Sequence, residues 1–259
     1  MYKKQLCNKQ KTSSKIKMRN KTTENNREEG IITITPIAIF RSPLKTKFGI
    51  PKQSGLATSL TGSITFCGPW RTPEALRGME GFDFLWIIWG FSANRHMTTG
   101  TTVRPPVLGG NKRMGVWATR SPFRPNNLGL SSVKIERIEL ETQDGPTIYV
   151  SGADLMDGTP IYDIKPYVTY ADSHPEAKSG FTDASKIKHM PVTFNKEAEE
   201  RIDEQTRVAI TEILSLDPRP QYHNDEKRIY GMTYDEKEVK FCVKDGEVRV
   251  ISVDKRGTN

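Results

Sequence analysis

The chain has 259 residues, of which 35% are hydrophobic and 27% charged, and its formal net charge is +8. Its densest apolar run, residues 82–91, is shorter than the ~20 residues that a membrane helix needs, and no apolar segment follows the basic N-terminus, so we expect neither a membrane span nor a secretory signal. The three cysteines lie far apart, which excludes a disulfide framework and a CxxC zinc site and favours a cytoplasmic protein.

Residues 1–30 form a basic tail with nine Lys or Arg, three Glu and very few apolar side chains. Such a segment cannot bury enough surface to offset the entropy of ordering, so we expect this tail to be disordered. Two interpretations remain open for its role. The tail is either a basic arm that contacts RNA or a dispensable extension, with translation beginning at Met18.

Short apolar and β-branched runs, separated by turns rich in Gly and Pro, predict strands through the next 130 residues or so. One short helix is expected at residues 73–79, with Thr72 as its N-cap and Pro73 in its first turn. The predicted strands are residues 31–35, 36–40, 63–67, 84–91, 115–119, 132–140, 147–152 and 161–164. Short strands at regular spacing are typical of a β-barrel or a β-sandwich, so residues 31–189 are expected to form a mainly β domain.

The pattern changes near residue 190, and we expect a small α+β domain over residues 190–259. Apolar positions at helical spacing predict an amphipathic helix over 195–216, with Asn195 as its N-cap. Strands are expected at 228–233, 239–243 and 247–253, and Asp245 followed by Gly246 predicts a hairpin turn between the last two.

Charge is distributed unevenly between the two halves of the chain. Residues 84–135 contain seven Lys or Arg and no acid, whereas residues 136–259 contain 17 basic and 25 acidic side chains. A 52-residue stretch without an acid is improbable in a chain that has 31 of them. The stretch therefore predicts a surface or pocket that faces an anion.

Several common enzyme motifs are missing. The sequence has no GxGxxG turn, GxxxxGK[ST] loop, HExxH helix or GxSxG elbow, and its four histidines lack metal-ligand spacing. These absences argue against a Rossmann-fold enzyme, a P-loop NTPase and a zinc hydrolase.

Two loops rich in Gly and Pro, residues 103–111 and 120–129, flank the predicted strand 115–119, and each carries arginine. Proline fixes φ and lacks an N–H donor, so these loops are stiff. Rigid loops with arginines suit the binding of an anion at a fixed position. The alternative is a pair of stiff connections whose arginines are simply solvated.

The segment 151–173 contains a turn at residues 157–160, followed by Asp163 and Lys165 on one face of an extended stretch. This pair is either an acid–base or ligand-binding pair or an ordinary salt bridge. Tyr167 and Tyr170 follow, and they either stack on a nucleobase or belong to the wall of the barrel.

Three strings in these segments resemble one family closely, the TrmO-type (YaeB-like) tRNA adenosine N6-methyltransferases. The strings are Arg-Pro-Pro-Val-Leu-Gly-Gly-Asn at 104–111, Ala-Thr-Arg-Ser-Pro-Phe-Arg-Pro-Asn at 118–126 and Asp-Gly-Thr-Pro-Ile-Tyr-Asp-Ile-Lys-Pro-Tyr at 157–167. The resemblance runs from about residue 34 to residue 172 and includes residues 36–43 and 48–55. The string Asp-Pro-Arg-Pro-Gln-Tyr at 217–222 is similar to part of the family's C-terminal domain.

The resemblance implies a β-barrel that binds S-adenosylmethionine (SAM), in a homodimer with SAM near the subunit interface. It implies methylation of N6 in N6-threonylcarbamoyladenosine at tRNA position 37, beside the anticodon. The cofactor contacts carried over by position are Lys52, Gln53, Ser54, Ser92, Ala93, Arg120, Leu130, Met156, Asp157, Gly158 and Thr159. The chain departs from the family at residues 92–96, where family members often have a polar or His-containing step, so the residue that faces the cofactor there stays open.

Roles for single residues follow from this resemblance and from charge. Arg120 is expected to pair with an anionic group of SAM, and either Asp157 or backbone carbonyls with its ammonium or ribose hydroxyls. The threonine carboxylate of the substrate needs a cation, for which Arg124 and Lys165 are candidates. The residues expected in catalysis are Asp163, Lys165, Tyr170 and Asp172, and water is a further candidate acceptor of the N6 proton.

The acid-free stretch is expected to contact the tRNA anticodon stem-loop, chiefly through its phosphates. The candidate RNA-binding residues are Arg95, Arg104, Lys112, Arg113, Arg124 and Asn126. No metal is expected. Two alternatives remain, a non-catalytic RNA-binding β-barrel and a SAM-binding enzyme or sensor that acts on another substrate.

Overall fold

The computed structural model describes residues 14–16, 32–93, 100–109, 112–183, 187–220 and 225–256, with the backbone alone for 14–16. Strand β1 (Ser14–Ile16) pairs antiparallel with β2 (Ile32–Ile34). The rest of the tail expected to be disordered, including Met18, lies outside the described residues, so that expectation stays a prediction.

A closed barrel is the centre of the described structure. Its neighbouring strands are antiparallel and follow the order β10-β3-β4-β9-β8-β5 around the barrel. The strands up to this point in the chain are β3 (Ala38–Arg41), β4 (Thr61–Phe66), β5 (Phe84–Gly90), β6 (Thr102–Val103), β7 (Met114–Gly115), β8 (Leu128–Glu139), β9 (Thr147–Ser151) and β10 (Pro160–Pro166). The predicted fold class is confirmed, and the barrel rather than the sandwich is the observed form.

The barrel strands form because apolar side chains alternate along them. On β5, Leu85, Ile87 and Trp89 point into the barrel, where they meet residues such as Phe40 of β3 and Val150 of β9. A period of two places all three β5 side chains on one face of the strand, so burial of that face fixes the register.

The predicted strand at 115–119 is wrong beyond its first residue. Strand β7 pairs with β6 over only two residues, and the chain then enters a 3-10 turn at Val116–Ala118. Thr119 closes this turn, because its hydroxyl donates to the Val116 carbonyl at 2.9 Å. A short apolar run forms a strand only where a neighbouring strand can pair with it, and β6 is too short to do so.

The predicted helix at 73–79 is a shorter 3-10 helix, Pro73–Leu76. Thr72 does not cap it, since its hydroxyl bonds to the Glu74 carboxylate instead of a backbone N–H. The other short helical elements before the second sheet are 3-10 turns at Gly68–Trp70, Met79–Gly81, Pro106–Leu108 and Gly180–Thr182 and the α-helical turn α1 (Thr169–Asp172).

A second sheet follows the barrel, with strand order β11-β14-β13-β12. Its elements are β11 (Val192–Phe194), α2 (Lys196–Glu200), α3 (Glu204–Ser215), β12 (Tyr230–Tyr234), β13 (Lys237–Lys244) and β14 (Glu247–Lys255). The hairpin between β13 and β14 is confirmed, and the positive φ of both Asp245 and Gly246 suits a type I′ turn.

The single helix predicted at 195–216 is two helices. Asn195 caps the first as expected, by accepting from the Ala198 backbone N–H at 2.7 Å. Asp203 caps the second, because its carboxylate accepts from the Thr206 backbone N–H at 2.8 Å. A second capping residue inside one amphipathic pattern ends the first helix and restarts the next.

The segment between β3 and β4 packs against the second sheet. Its Leu44, Ala57 and Leu60 are buried in the same cluster as Ile213 of α3 and Met232 of β12. The Glu212 carboxylate adds polar contacts, accepting from the Ser59 backbone N–H at 2.7 Å and the Ser59 hydroxyl at 3.0 Å. A domain boundary near residue 190 therefore stays a prediction, since residues from both sides of it share one core.

Two further observations concern the described ranges. None of their helices is long and apolar enough to cross a membrane. None of their groups of His, Cys, Asp and Glu side chains is arranged to hold a metal ion.

Candidate functional site

A cavity of about 470 Å³ opens at one edge of the barrel. Five stretches of chain meet there: the segment between β3 and β4, the end of β5, the loop after β7, the start of β8 and the segment from β9 to β10. Its volume lies within the range of small-molecule sites. Its walls consist of Lys47, Ile50, Pro51, Lys52, Gln53, Trp89, Phe91, Ser92, Ala93, Thr119, Arg120, Pro122, Arg124, Leu128, Gly129, Leu130, Asp154, Met156 and Thr159.

Arg120 links two walls of this cavity. Its guanidinium Nη1 donates to Gln53 Oε1 at 2.6 Å, which joins the loop after β7 to the segment between β3 and β4. A guanidinium held by an amide keeps its remaining N–H donors for a ligand. The arginine loop and the Lys52–Gln53 segment, both singled out in the sequence, therefore meet in the folded chain.

Arg124 is held by the backbone of its own loop. Its Nη1 donates to the Thr119 carbonyl at 2.9 Å and to the Ser121 carbonyl at 3.3 Å, and its guanidinium lies 5.4 Å from the Trp117 ring centre. Two carbonyl contacts fix the position of the positive charge beside the cavity. Trp117 itself is 71% exposed, so an apolar ring stands at the surface next to that charge.

Asp154 supplies the carboxylate of the cavity wall, and sequence reasoning missed it. The Ser131 hydroxyl donates to its Oδ1 at 2.6 Å, and the Trp89 indole Nε1–H donates to that hydroxyl at 3.0 Å. Burial raises the pKa of Asp154, against the opposing effect of the Ser131 hydrogen bond and the nearby Arg120 charge. The sequence does contain one signal for Asp154, since this acid closely follows a buried strand. The turn at 157–160 favours Asp157 as the binding residue instead.

Part of the cavity wall is apolar. Trp89 and Phe91 pack edge to face with ring centroids 4.3 Å apart. A Cβ on Gly129 would lie 2.3 Å from the Trp89 ring, so glycine there lets the indole lie flat against β8. Leu130 is 56% exposed and lines the mouth of the cavity.

The structure brings most of the predicted cofactor contacts together. The residues at the cavity wall are Lys52, Gln53, Ser92, Ala93, Arg120, Leu130, Met156 and Thr159. Ser54 is not in the wall, although its backbone N–H lies by the Asp154 carboxylate.

Asp157 and Gly158 do not line the cavity and instead join two segments of the barrel. The Asp157 carboxylate accepts from the Ser42 backbone N–H at 3.1 Å and pairs with Lys45 at 3.2 Å. The Gly158 N–H donates to the Phe40 carbonyl at 2.9 Å. The turn at 157–160 thus holds the chain that leaves β3.

The predicted catalytic residues lie away from the cavity wall. Asp163 and Lys165 pair with each other at 3.0 Å, both with substantial exposure. The Asp172 carboxylate accepts from the Val168 backbone N–H at 2.8 Å, and Tyr170 is 92% exposed on α1. Their catalytic role stays a prediction.

The candidate RNA-binding residues divide into two groups. Arg124 lines the cavity, whereas Arg104, Lys112 and Arg113 are exposed around the β6–β7 hairpin, with Arg113 bonded to the Thr102 hydroxyl at 2.8 Å. Asn126 is half-buried in the loop before β8. Arg95 lies outside the described residues, as do two residues of the loop 103–111.

Comparison with known proteins gives matches that include the barrel and the second sheet. Residues 39–173 match the family model of the tRNA-methyltransferase O N-terminal domain, and residues 187–256 match that of the TrmO C-terminal domain. The tRNA (adenine(37)-N6)-methyltransferase of Escherichia coli is 37% identical over 228 residues, covering 85% of this chain and 97% of that protein. The human protein of the same name is 33% identical over 205 residues, covering 78% of this chain and 44% of the human protein.

A solved structure shows the same architecture. The crystal structure of TrmO from Pseudomonas aeruginosa superposes with a TM-score of 0.70 at 29% sequence identity, covering 91% of this chain and 100% of that one. Both family models, the full-length bacterial relative and the shared barrel agree, and the chain belongs to the TrmO family.

Proposed function

We propose that this protein is a SAM-dependent tRNA methyltransferase that methylates N6 of the adenosine at position 37, beside the anticodon. The E. coli and human relatives bear the name tRNA (adenine(37)-N6)-methyltransferase, and a P. aeruginosa relative that is 36% identical over 208 residues is named a putative S-adenosylmethionine-dependent methyltransferase. The observation that carries the proposal is the cavity, in which the Arg120 loop, the Lys52–Gln53 segment and Asp154 converge.

The donor set of the cavity fits SAM. SAM has a zwitterionic amino-acid end and a flat adenine, and the walls combine charged groups with apolar side chains such as Phe91, Leu130 and Met156. Arg120, Gln53 and Lys52 would hold the charged end, and the apolar walls would hold the base. When bound, SAM supplies a methyl group activated by a sulfonium.

The chain's own contribution is chiefly positioning. Arg120 is tied to Gln53 and Arg124 to two carbonyls, so both cations keep fixed places when the ligand and the RNA arrive. Thr119 shapes the same loop through its bond to the Val116 carbonyl. Fixed charges need no reorganisation during the reaction, and this favours methyl transfer by alignment.

We further propose that the substrate is N6-threonylcarbamoyladenosine and that Arg124 receives its carboxylate. Arg124 lines the cavity, whereas the other candidate, Lys165, pairs with Asp163 elsewhere. Because Asp163, Tyr170 and Asp172 are absent from the cavity wall, water is the favoured candidate among the proposed acceptors of the N6 proton.

RNA contact is proposed for the surface around the β6–β7 hairpin. Arg104, Lys112 and Arg113 are exposed there, and the exposed Trp117 and Phe123 lie on the loops that lead to the cavity. Basic side chains attract phosphates and aromatic rings stack on bases, so this surface suits an anticodon loop.

We further propose that the protein forms a homodimer and acts in the cytoplasm. Val107, Trp117, Phe123 and Leu130 are large apolar side chains exposed on the loops and strand around the cavity. Exposed apolar groups of this size mark interaction surfaces, and a second subunit would cover those that RNA does not.

The proposal is tested by incubating the protein with methyl-labelled SAM and two tRNA pools, one with the threonylcarbamoyl modification and one without it. We expect label at N6 of the modified adenosine and methylation at least ~100-fold slower without the modification, because the cation built for the carboxylate is then unpaired. Equal rates on both pools would contradict the proposed substrate, and no label in either pool would contradict the proposed activity.

A further inference from the structure

The charges in the cavity wall are asymmetric. Among the described residues that form it, Lys47, Lys52, Arg120 and Arg124 are cations, and Asp154 is the one carboxylate. A wall designed only to attract RNA phosphate or a carboxylate would gain nothing from an acid. The presence of Asp154 therefore points to a ligand with a positive group as well as a negative one.

Asp154 is held in place by its neighbours. Its Oδ1 accepts from the Ser131 hydroxyl at 2.6 Å, and that hydroxyl accepts from the Trp89 indole N–H at 3.0 Å, which sets the direction in which the serine donates. Ser131 and Trp89 are themselves buried. The two side chains fix the carboxylate at one position and orientation.

The fold does not benefit from a charge on Asp154. Burial raises its pKa, so the surroundings favour the neutral acid over the carboxylate despite the Ser131 bond and the Arg120 charge. A carboxyl whose pKa is raised by burial and which is held at one position in the wall of a cavity is typical of a binding or catalytic group.

We propose that Asp154 is a cofactor-binding residue whose carboxylate pairs with the α-ammonium of SAM, with Ser131 as its positioning residue. Arg120 binds the α-carboxylate of the same amino-acid end, so the two side chains together recognise a zwitterion. This inference rests on the proposed function, since it names the part of SAM that one wall of the site binds.

Calorimetry with three ligands tests the proposal. SAM and S-adenosylhomocysteine both carry the α-ammonium, but only SAM has a sulfonium, and 5′-methylthioadenosine lacks the amino-acid end altogether. We expect Asp154→Asn to weaken SAM and S-adenosylhomocysteine alike by about 10- to 100-fold, and to leave 5′-methylthioadenosine unchanged, because a charge-assisted bond is lost in the first two only.

The matched control is Glu136→Gln. Glu136 accepts from the Ser151 hydroxyl at 2.5 Å on the same strand pair but is not part of the cavity wall, so this variant should bind all three ligands like the wild type. Ser131→Ala tests positioning. The Ser131 bond favours the ionised form of Asp154, so without it the loss of SAM affinity on acidification should begin at a higher pH.

Three outcomes would overturn the inference. They are wild-type SAM affinity in Asp154→Asn, weakening of SAM with no change for S-adenosylhomocysteine, and equal weakening of 5′-methylthioadenosine. Thermal melting identifies a variant that fails to fold, and in that case Asp154→Glu, which keeps the charge, must bind SAM more tightly than Asp154→Asn. Failure of the wild type to bind SAM would instead contradict the proposed function.

Discussion

Two serine–carboxylate contacts join β8 to the chain at the end of β9, and they have opposite consequences. Ser131 of β8 donates to Asp154, just beyond β9, whereas Ser151, the last residue of β9, donates to Glu136 of β8. Burial raises the pKa of Asp154, whereas the Ser151 bond, helped by Lys134, lowers the pKa of Glu136. The surroundings of Glu136 thus favour its ionised form, whereas burial of Asp154 disfavours the ionised form.

The surroundings of each carboxylate, and not its hydrogen bond to serine alone, determine whether it serves the fold or a binding site. Glu136 pairs with Lys134 at 3.2 Å near solvent, and Arg137 pairs with Glu139 one residue further on. Asp154, by contrast, shares the wall of a cavity with four cations. The same substitution at the two contacts should therefore give different results.

The largest expected difference concerns substrate choice. Arg124→Ala should lower the methylation rate on threonylcarbamoylated tRNA by up to ~100-fold, about 2.7 kcal/mol in the transition state, and change the slow rate on unmodified tRNA little. Lys134→Ala removes the cation that pairs with Glu136 and should leave both rates unchanged. Single-turnover kinetics on the two tRNA pools measures this, and an equal loss on both pools would make Arg124 a general phosphate contact.

The next effect concerns cofactor affinity. Arg120→Ala should weaken SAM binding by about 1.5–3 kcal/mol, because a charge-assisted hydrogen bond is removed and Gln53 loses its partner. The control variant Arg137→Ala removes a cation that pairs with Glu139 outside the cavity wall, and it should bind SAM like the wild type. Calorimetry measures the SAM affinity of both variants, and an unchanged affinity in Arg120→Ala would show that Arg120 is not part of the site.

The smallest effect is on stability and has opposite signs at the two contacts. A raised pKa means that the folded chain binds the Asp154 proton more tightly, so stability falls as pH rises through that pKa, and Asp154→Asn should melt higher than the wild type at pH 7. Glu136 has a lowered pKa and stabilises the fold above the ordinary glutamate pKa, so Glu136→Gln should melt lower at pH 7.

Melting curves at pH 7 and near pH 3 check this pair of signs. The difference for Asp154→Asn should shrink in acid as that carboxyl is protonated, and the difference for Glu136→Gln should shrink as the pH falls through the lowered pKa of Glu136. A lower melting temperature for Asp154→Asn at pH 7 would show that its charge serves the fold.

Sequence reasoning located most of the cavity because its residues lie in strings with distinctive composition. Arg120 follows a strand signal and precedes prolines, and the resemblance assigned Lys52 and Gln53 to the same site. What composition cannot show is which of two nearby acids faces inward. Asp157 lies in an evident turn and pairs with Lys45, whereas Asp154 faces the cavity.

The misread elements have a similar cause. Residues 115–119 contain a short apolar run like that of a strand but have almost no partner to pair with, and one helical pattern hides the Asp203 cap. Strand β11 is three residues long and pairs parallel with β14, a contact distant in sequence. Pairing between distant segments is a property of the fold and not of a local window.

The packing of residues 42–60 against the second sheet has a consequence for how the protein is made. Gly49 approaches Met232 so closely that a Cβ would lie 2.4 Å from the sulfur, and Leu44 and Leu60 share a core with Val250 of the final strand. The wall that carries Lys52 and Gln53 thus gains its support only after β14 has left the ribosome. A nascent chain that has already completed its barrel strands therefore still lacks support for this wall of the cavity until β14 has been synthesised.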